Sequence, residues 1–412
     1  MPEPSLSAPP PAIDQEPGRR WLPLLVIIAI ALRIAARAWR GEESFLTEGY
    51  TFYLALADNF LRGDGFCYAP GESCAIRLPV YPLFIAALKS AGWLYPGVAV
   101  AQAVMGGATV WATWSIGRAL FGSWVAMVSA AAVALNPYAV IHDTALQDTV
   151  LVNLLMLAAV ALLMKAARTP GSTYWLAAGG VLALAVLTSA RVALFAPGAV
   201  AWAWTVADPR DRARRALAVA VPVVLLVGIW LVRNAEIVGA PVLTTESGVS
   251  LFIGNSPLTF THFPARSMDL VTGEFAALPP DVQHRIESLE GQEVASDRAL
   301  RDLALAYLWD HPWQALSGAG RKLWVVASAE LSPARGGLAD WSYRAVYLPV
   351  HVLALVGLWR FIQRQREHGL LLLFVGAFAA TTAVYWAHTS HVSLIHPVLF
   401  IYASASAKAM AR

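Results

Sequence analysis

The chain has 412 residues, of which 58% are hydrophobic and 14% charged, with a net charge of +3. A soluble domain carries about 25% charged residues, so a soluble globular class is excluded. The small net charge, and the lack of any basic patch with interleaved aromatics, argue against a nucleic-acid partner. Apolar stretches long enough to cross a bilayer, roughly 17–25 residues, recur along the chain, which reads as an all-α polytopic membrane protein.

Residues 1–20 are Pro-rich, lack apolar periodicity and read as a disordered cytoplasmic tail. Arg19 and Arg20 then precede "WLPLLVIIAIAL". That order has the shape of a signal peptide, but Arg33, Arg37 and Arg40 follow where a small-residue cleavage site belongs, so the first span is expected to be retained. Further apolar runs fall at about 97–117, 121–137, 150–166, 174–190, 192–207, 216–233, 343–363, 369–387 and 392–409. With the first run at about 21–39 they make about ten spans.

With the N-terminus inside, the inner loops hold Arg118, Lys165 and Arg168, "DPRDRARR" (208–215), "RFIQRQREH" (360–368) and finally Lys408 and Arg412. This is a positive-inside pattern with both termini cytoplasmic. It survives only if "LPVYPLFIAALKSAGW" (78–93) does not cross, and that run, at about 15 apolar residues, is short for a span. It is expected to be an interfacial or re-entrant helix on the outer side, and the amphipathic "FLTEGYTFYLALADNFLRGDGFC" (45–67) an interfacial helix on the outer surface. The expected modules are a membrane module over 21–233 with a first outer loop at 40–96, an extracytoplasmic region at 234–342, and C-terminal helices over 343–412. Within the outer region, 293–312 has helical spacing that stops at Pro312, while 241–257 reads as loop or short strand.

Both cysteines, Cys67 and Cys74, lie in the first outer loop, on the oxidising side. A disulfide is expected there, with two free thiols as the alternative. Basic residues gather at outer span ends: Arg33, Arg37 and Arg40 on one helix face, then Arg77, Arg191, Arg233 and Lys322. Charges at membrane depth are costly and usually pair or act. A lipid phosphate in the outer leaflet would take bidentate bonds from such arginines, and snorkelling at the interface is the bland alternative.

The ordered fragments resemble a known family. They are "YLALADNFLRGDGF", "IRLPVYPLFIAAL", "QAVMGGATVWATWSIGRALFG", "ALQDTVLVNLLMLA", "LTSARVALFAPGAV", "WLVRNAEIVGAPVLTTESGVSLFIGNSP", "DHPWQALSGAGRKLW" and "HTSHVSLIHPVLFIYASA". Together they are similar to the bacterial GT-C glycosyltransferases related to protein O-mannosyltransferases and aminoarabinose transferases. The resemblance implies a GT-C-like bundle in a bacterial inner membrane, with interfacial helices and a mixed outer loop. It implies inverting transfer of a sugar, on the extracytoplasmic face, from a polyprenyl-phosphate-linked donor to a protein, lipid A or surface-glycan acceptor.

Transfer with inversion needs a carboxylate base. The resemblance points to Glu48, which lies five positions before Tyr53 where the family pattern has four, with Gly49 in the expected place. Asp148, with Asp143 as its local competitor, takes the second acidic position, to orient the acceptor. Arg77, Arg191, Arg233, Lys322 and His391 are the expected phosphate-binding set, with Arg33 and Asn234 as further candidates. No His or Cys set accompanies the carboxylates, so no metal is expected; a divalent ion between Glu48 and Asp148 is the weaker alternative. Two other readings stay open: a GT-C-like scaffold without catalysis, and a lipid-linked sugar flippase, which predicts broken helices with mid-membrane charges.

Overall fold

A computed structural model describes residues 19–47, 49–361, 366–386 and 388–411. Among the described residues every regular element is a helix, in the order α1 (Leu22–Thr47), α2 (Phe52–Arg62), α3 (Val80–Ser90), α4 (Leu94–Phe121), α5 (Ser123–Ala134), α6 (Pro137–His142), α7 (Thr149–Arg168), α8 (Thr173–Val186) and α9 (Phe195–Val206). There follow α10 (Arg212–Val238), α11 (Ser247–Gly254), α12 (Thr259–His262), α13 (Pro280–Glu287), α14 (Glu293–Asp310), α15 (Pro312–Ala327), α16 (Gly337–Phe361), α17 (Arg366–Val384), α18 (Thr389–Val392) and α19 (His396–Met410).

Among the described residues five helices are long and apolar enough to cross a membrane: 19–46, 149–168, 212–238, 337–361 and 367–384. The expectation of ten spans is therefore met only in part. The run at 97–117 forms α4, which has 28 residues but intersperses Gln102, Thr109, Thr113 and Ser115 among its apolar positions. The runs at 121–137, 174–190, 192–207 and 392–409 form the shorter α5, α8, α9 and α19, of 12, 14, 12 and 15 residues. At 1.5 Å per residue, 12 residues rise about 18 Å against a hydrocarbon thickness of about 30 Å. These short helices pack with α4, α7, α16 and α17 around the main core, where Trp175, Phe195, Met156 and Phe374 are fully enclosed.

The 78–93 run forms α3, of only 11 residues, which pairs with α2. Tyr53 of α2 meets Tyr81 of α3 edge to face, with ring centroids 4.6 Å apart. Tyr81 in turn donates to Gln102 of α4 at 2.7 Å. On the amphipathic α2, Tyr53 and Leu56 are buried in the protein and Phe60 is exposed. In the outer region α14 ends at Asp310 and Pro312 opens α15, where its missing N–H is no loss. The stretch read as loop or short strand instead contains α11, an eight-residue helix. Its Leu251, Phe252 and Ile253 join Phe263, Val271 and Leu300 in a separate outer core.

The helix turns sort to two ends. The basic turns, with Arg118, Arg168, Arg210 and Arg212, lie between α4 and α5, α7 and α8, and α9 and α10. The starts of α7, α9 and α19 and the ends of α8, α10 and α17 lie at the other end, with α2, α3 and the outer region. Inside the bundle, Arg33 is 1% exposed and bonds Asp143 at 2.8 Å. It also donates to the carbonyls of Ala29 and Ala134 at 3.1 and 3.4 Å. Gly106 makes this possible, because a Cβ there would stand 2.3 Å from the guanidinium Nε.

Breaking a buried pair strands the surviving charge at a cost of about 3–5 kcal/mol, whereas replacing both members by apolar groups is often neutral. Arg33→Met is therefore expected to lower the thermal transition in detergent sharply, and Arg33→Met/Asp143→Leu to recover most of the loss.

Candidate functional site

A cavity of about 390 Å³ opens at the end of the bundle opposite the basic turns. Its walls come from separate chain segments around Tyr50–Tyr53, Ile76–Leu78, Asp148–Thr149, Thr188–Arg191 and Thr244–Ile253, closed by the end of α17 and by His388–Leu394 around α18. Of the residues expected from sequence, Arg77, Asp148, Arg191 and His391 meet in it.

Asp148 precedes the first turn of α7, where a carboxylate suits the positive end of the helix dipole, and its side chain takes Arg191 Nη2 at 3.2 Å on each oxygen. Arg191 stands in a 3₁₀ turn between α8 and α9 and also donates from Nε to Ser189 at 2.8 Å. Arg77, before α3, pairs with Glu246, and its guanidinium lies 4.0 Å from the centre of the Phe52 ring. Thus two arginines and two carboxylates share one chamber.

Two histidines complete it. His388 bonds the Ser390 hydroxyl at 2.7 Å, and its ring stands 5.7 Å from that of His391. Burial lowers the His388 pKa to about 4, with Arg191 and Arg335 adding to the shift. The same causes, burial and then Arg191, hold His391 well below the ordinary imidazole value. Both rings are therefore neutral at pH 7 and offer donors and acceptors without charge. Burial and the nearby Asp148 carboxylate raise Tyr53 well above the usual phenol range, so its hydroxyl stays protonated.

The remaining expected residues stand elsewhere. Arg233 donates to the carbonyls of Cys74 and Phe66, at 2.5 and 3.2 Å, and to Asn234 at 2.8 Å. Asn234 donates to the Val242 carbonyl at 2.7 Å. Lys322 is 1% exposed and donates to the carbonyls of Gly254, Val384 and Tyr385 at 3.1, 3.4 and 3.1 Å. Burial lowers its pKa to about 8, which leaves it charged at neutral pH. These two cations were expected to bind phosphate; the structure spends them on backbone carbonyls instead. Arg33 and Asp143 are committed to each other inside the bundle. Glu48 lies outside the described residues. Its neighbours are fixed close to the cavity: Leu146 N–H donates to Phe45 O at 3.3 Å and Tyr50 N–H to Leu146 O at 2.8 Å. A Cβ on Gly49 would come within 2.5 Å of the Leu146 Cβ.

Sequence reasoning missed Glu246, in "TTESG", and the two carboxylates of α14 that order this wall. Glu293 accepts the N–H groups of Cys74 and Ala75, both at 2.8 Å, and the Thr245 hydroxyl. Asp297 accepts the Gly248 N–H at 2.5 Å and the Ser247 hydroxyl at 3.3 Å. Their spacing of four, on a helix in an outer region, was the available signal. Cys67 and Cys74 are disulfide-bonded. The bond ties the loop after α2 to the Arg77 segment. Among the described residues no three His, Cys, Asp or Glu side chains are grouped to hold a metal ion.

Fold and site define a polytopic helical membrane protein with a charged chamber at one end of its bundle. Residues 79–233, from α3 through α10, match the family model of dolichyl-phosphate-mannose-protein mannosyltransferases. The apo oligosaccharyltransferase of Archaeoglobus fulgidus superposes with a TM-score of 0.56 at 14% identity, over 95% of this chain and 50% of that one. The archaeal oligosaccharyltransferase AglB from the same organism, in complex with an inhibitory peptide and a dolichol-phosphate, gives 0.52 at 14% identity, over 94% and 50%. ArnT from Cupriavidus metallidurans bound to undecaprenyl phosphate gives 0.39 at 18% identity, over 95% and 78%, a likeness too loose to argue from. The chain spans about half the length of the archaeal enzymes it matches. No curated protein sequence matches it. Over residues 79–233 the chain is thus similar to this mannosyltransferase family, and over most of its length it shares the fold of the archaeal oligosaccharyltransferase.

The histidines set a pH dependence whose sign follows from their low folded-state pKa values. The unfolded chain takes up protons from about pH 6.5, the folded one only near 4 at His388, so stability falls as pH drops between these values. The thermal transition of a His388→Asn/His391→Asn variant is expected to fall less steeply than that of the wild type from pH 7 to 4.5.

Proposed function

We propose that the protein is a glycosyltransferase that moves a sugar from a polyprenyl-phosphate-linked donor to an acceptor at the extracytoplasmic surface of a bacterial inner membrane. The observation that carries the reading is the convergence of Arg77 and Arg191 with Asp148 in one cavity at the end opposite the basic turns. By the positive-inside rule that end faces out. The matched family is described by a dolichyl-phosphate-linked mannose donor, and one structural neighbour was solved with a dolichol-phosphate; both fit an arginine-lined phosphate site.

In this reading Arg77 and Arg191 hold the donor phosphate by charge-assisted bonds. As the bond from anomeric carbon to phosphate oxygen breaks, the leaving phosphate gains charge that the same guanidinium groups stabilise. Asp148 fixes Arg191 and faces the acceptor. The acceptor hydroxyl or amine gives its proton to a carboxylate, and Glu48 remains the assignment the family pattern supports. Tyr53, Ser390 and the neutral His391 supply uncharged hydrogen bonds to the sugar and acceptor. The outer region over α11–α15 forms the side from which a protein, lipid A or glycan acceptor approaches.

The purified full chain, in nanodiscs with undecaprenyl-phosphate-linked sugars and extracted bacterial acceptors, is expected to release free undecaprenyl phosphate. Arg191→Ala should lower the rate by about 10²–10³, the usual cost of removing one donor to developing charge. Glu48→Gln should lower it by about 10²–10⁴. Unchanged turnover in Glu48→Gln would remove it as the base, and no release with any donor sinks the assignment.

A further inference from the structure

The two ion pairs of the cavity are built differently. Asp148 is 5% exposed, and the Arg191 that holds it is itself fixed by Ser189. The Glu246 side chain is 33% exposed, and among the described residues Arg77 is its only side-chain partner. Arg77 has independent support, because Phe52 lies under its guanidinium. The backbones on either side of the pair are laced together: the Thr244 hydroxyl donates to Ile76 O at 2.6 Å and the Thr245 N–H to Ala75 O at 3.0 Å. Glu293 and Asp297 hold Thr245 and the first turn of α11 from behind. Both main-chain segments are therefore fixed, and the Glu246 side chain is the part of this pair able to move.

Resting on the reading above, we propose that Glu246 is a displaceable counter-ion that occupies Arg77 while no phosphate is bound. A phosphate offers the guanidinium stronger bidentate acceptors than a carboxylate tethered at one point, so the donor takes Arg77 and Glu246 swings into the open chamber. When the sugar has left, the same carboxylate competes with the polyprenyl phosphate product for Arg77 and speeds its departure. Glu246 is in this sense a positioning residue that weakens phosphate binding in exchange for turnover.

The consequence is a change of affinity in the direction opposite to that of ordinary damage. Partly exposed ion pairs contribute little net free energy, so removing the competitor should tighten phosphate binding by roughly 2- to 5-fold. The test is titration of undecaprenyl phosphate onto the full chain in nanodiscs, for wild type, Glu246→Gln, Glu246→Ala, Arg77→Ala and Arg77→Ala/Glu246→Gln. Both Glu246 variants should bind more tightly than wild type, and Glu246→Gln should have no effect once Arg77 is gone. With the donor, KM and kcat should fall together as product release slows, whereas a merely structural role would raise KM. Unchanged or weaker binding in both Glu246 variants, beside normal binding by wild type, overturns this inference alone. Failure of wild type to bind undecaprenyl phosphate overturns the proposed function and this inference with it.

Discussion

A charge inside a helical bundle must meet a charge of opposite sign or a set of carbonyl oxygens, and that constraint arranges most of this molecule. Arg33 meets Asp143 between α1 and the turn before α7. Arg37 reaches Thr144 and Ser44 where α1 breaks at Gly41, whose φ of 74° suits glycine. Arg233 gathers the carbonyls of the disulfide loop, and Lys322 gathers three at the ends of α11 and α17. Each cation fixes one junction of the chain. Arg77 and Arg191 also have carboxylate partners, but their partners share a chamber, and there pairing leaves the charge accessible to a ligand.

The chamber depends on the outer region as much as on the membrane helices. α14 projects Glu293 and Asp297 four residues apart, one onto the Cys74–Ala75 backbone and the other onto the first turn of α11. The disulfide holds the other end of the same loop. Arg77 and Glu246 are thus brought together from segments some 170 residues apart by contacts that avoid the cavity itself. Rigid support behind the Arg77–Glu246 pair is what the proposed exchange of anions at Arg77 requires.

The all-helical membrane class and the brevity of α3 were legible because they rest on composition and run length. So were Arg77, Asp148, Arg191 and His391, which stand at outer ends of helices. The number of full-length spans was not, because an apolar run does not reveal where a helix stops: Gly122 and Asn136–Pro137 bound α5 to 12 residues. The roles of Arg233 and Lys322 were hidden for a similar reason. A basic residue at a membrane boundary looks the same in sequence whether it faces a phosphate or a carbonyl, and only the tertiary fold says which. Glu246 carries no local pattern, and its importance comes from a partner 169 positions away.

The most direct measurement is an experimental structure of the full chain in a lipid nanodisc with undecaprenyl phosphate. The account predicts phosphate density between the guanidinium groups of Arg77 and Arg191, with the Asp148–Arg191 pair intact. Phosphate density at any other place on the molecule, with this chamber unoccupied, would contradict it.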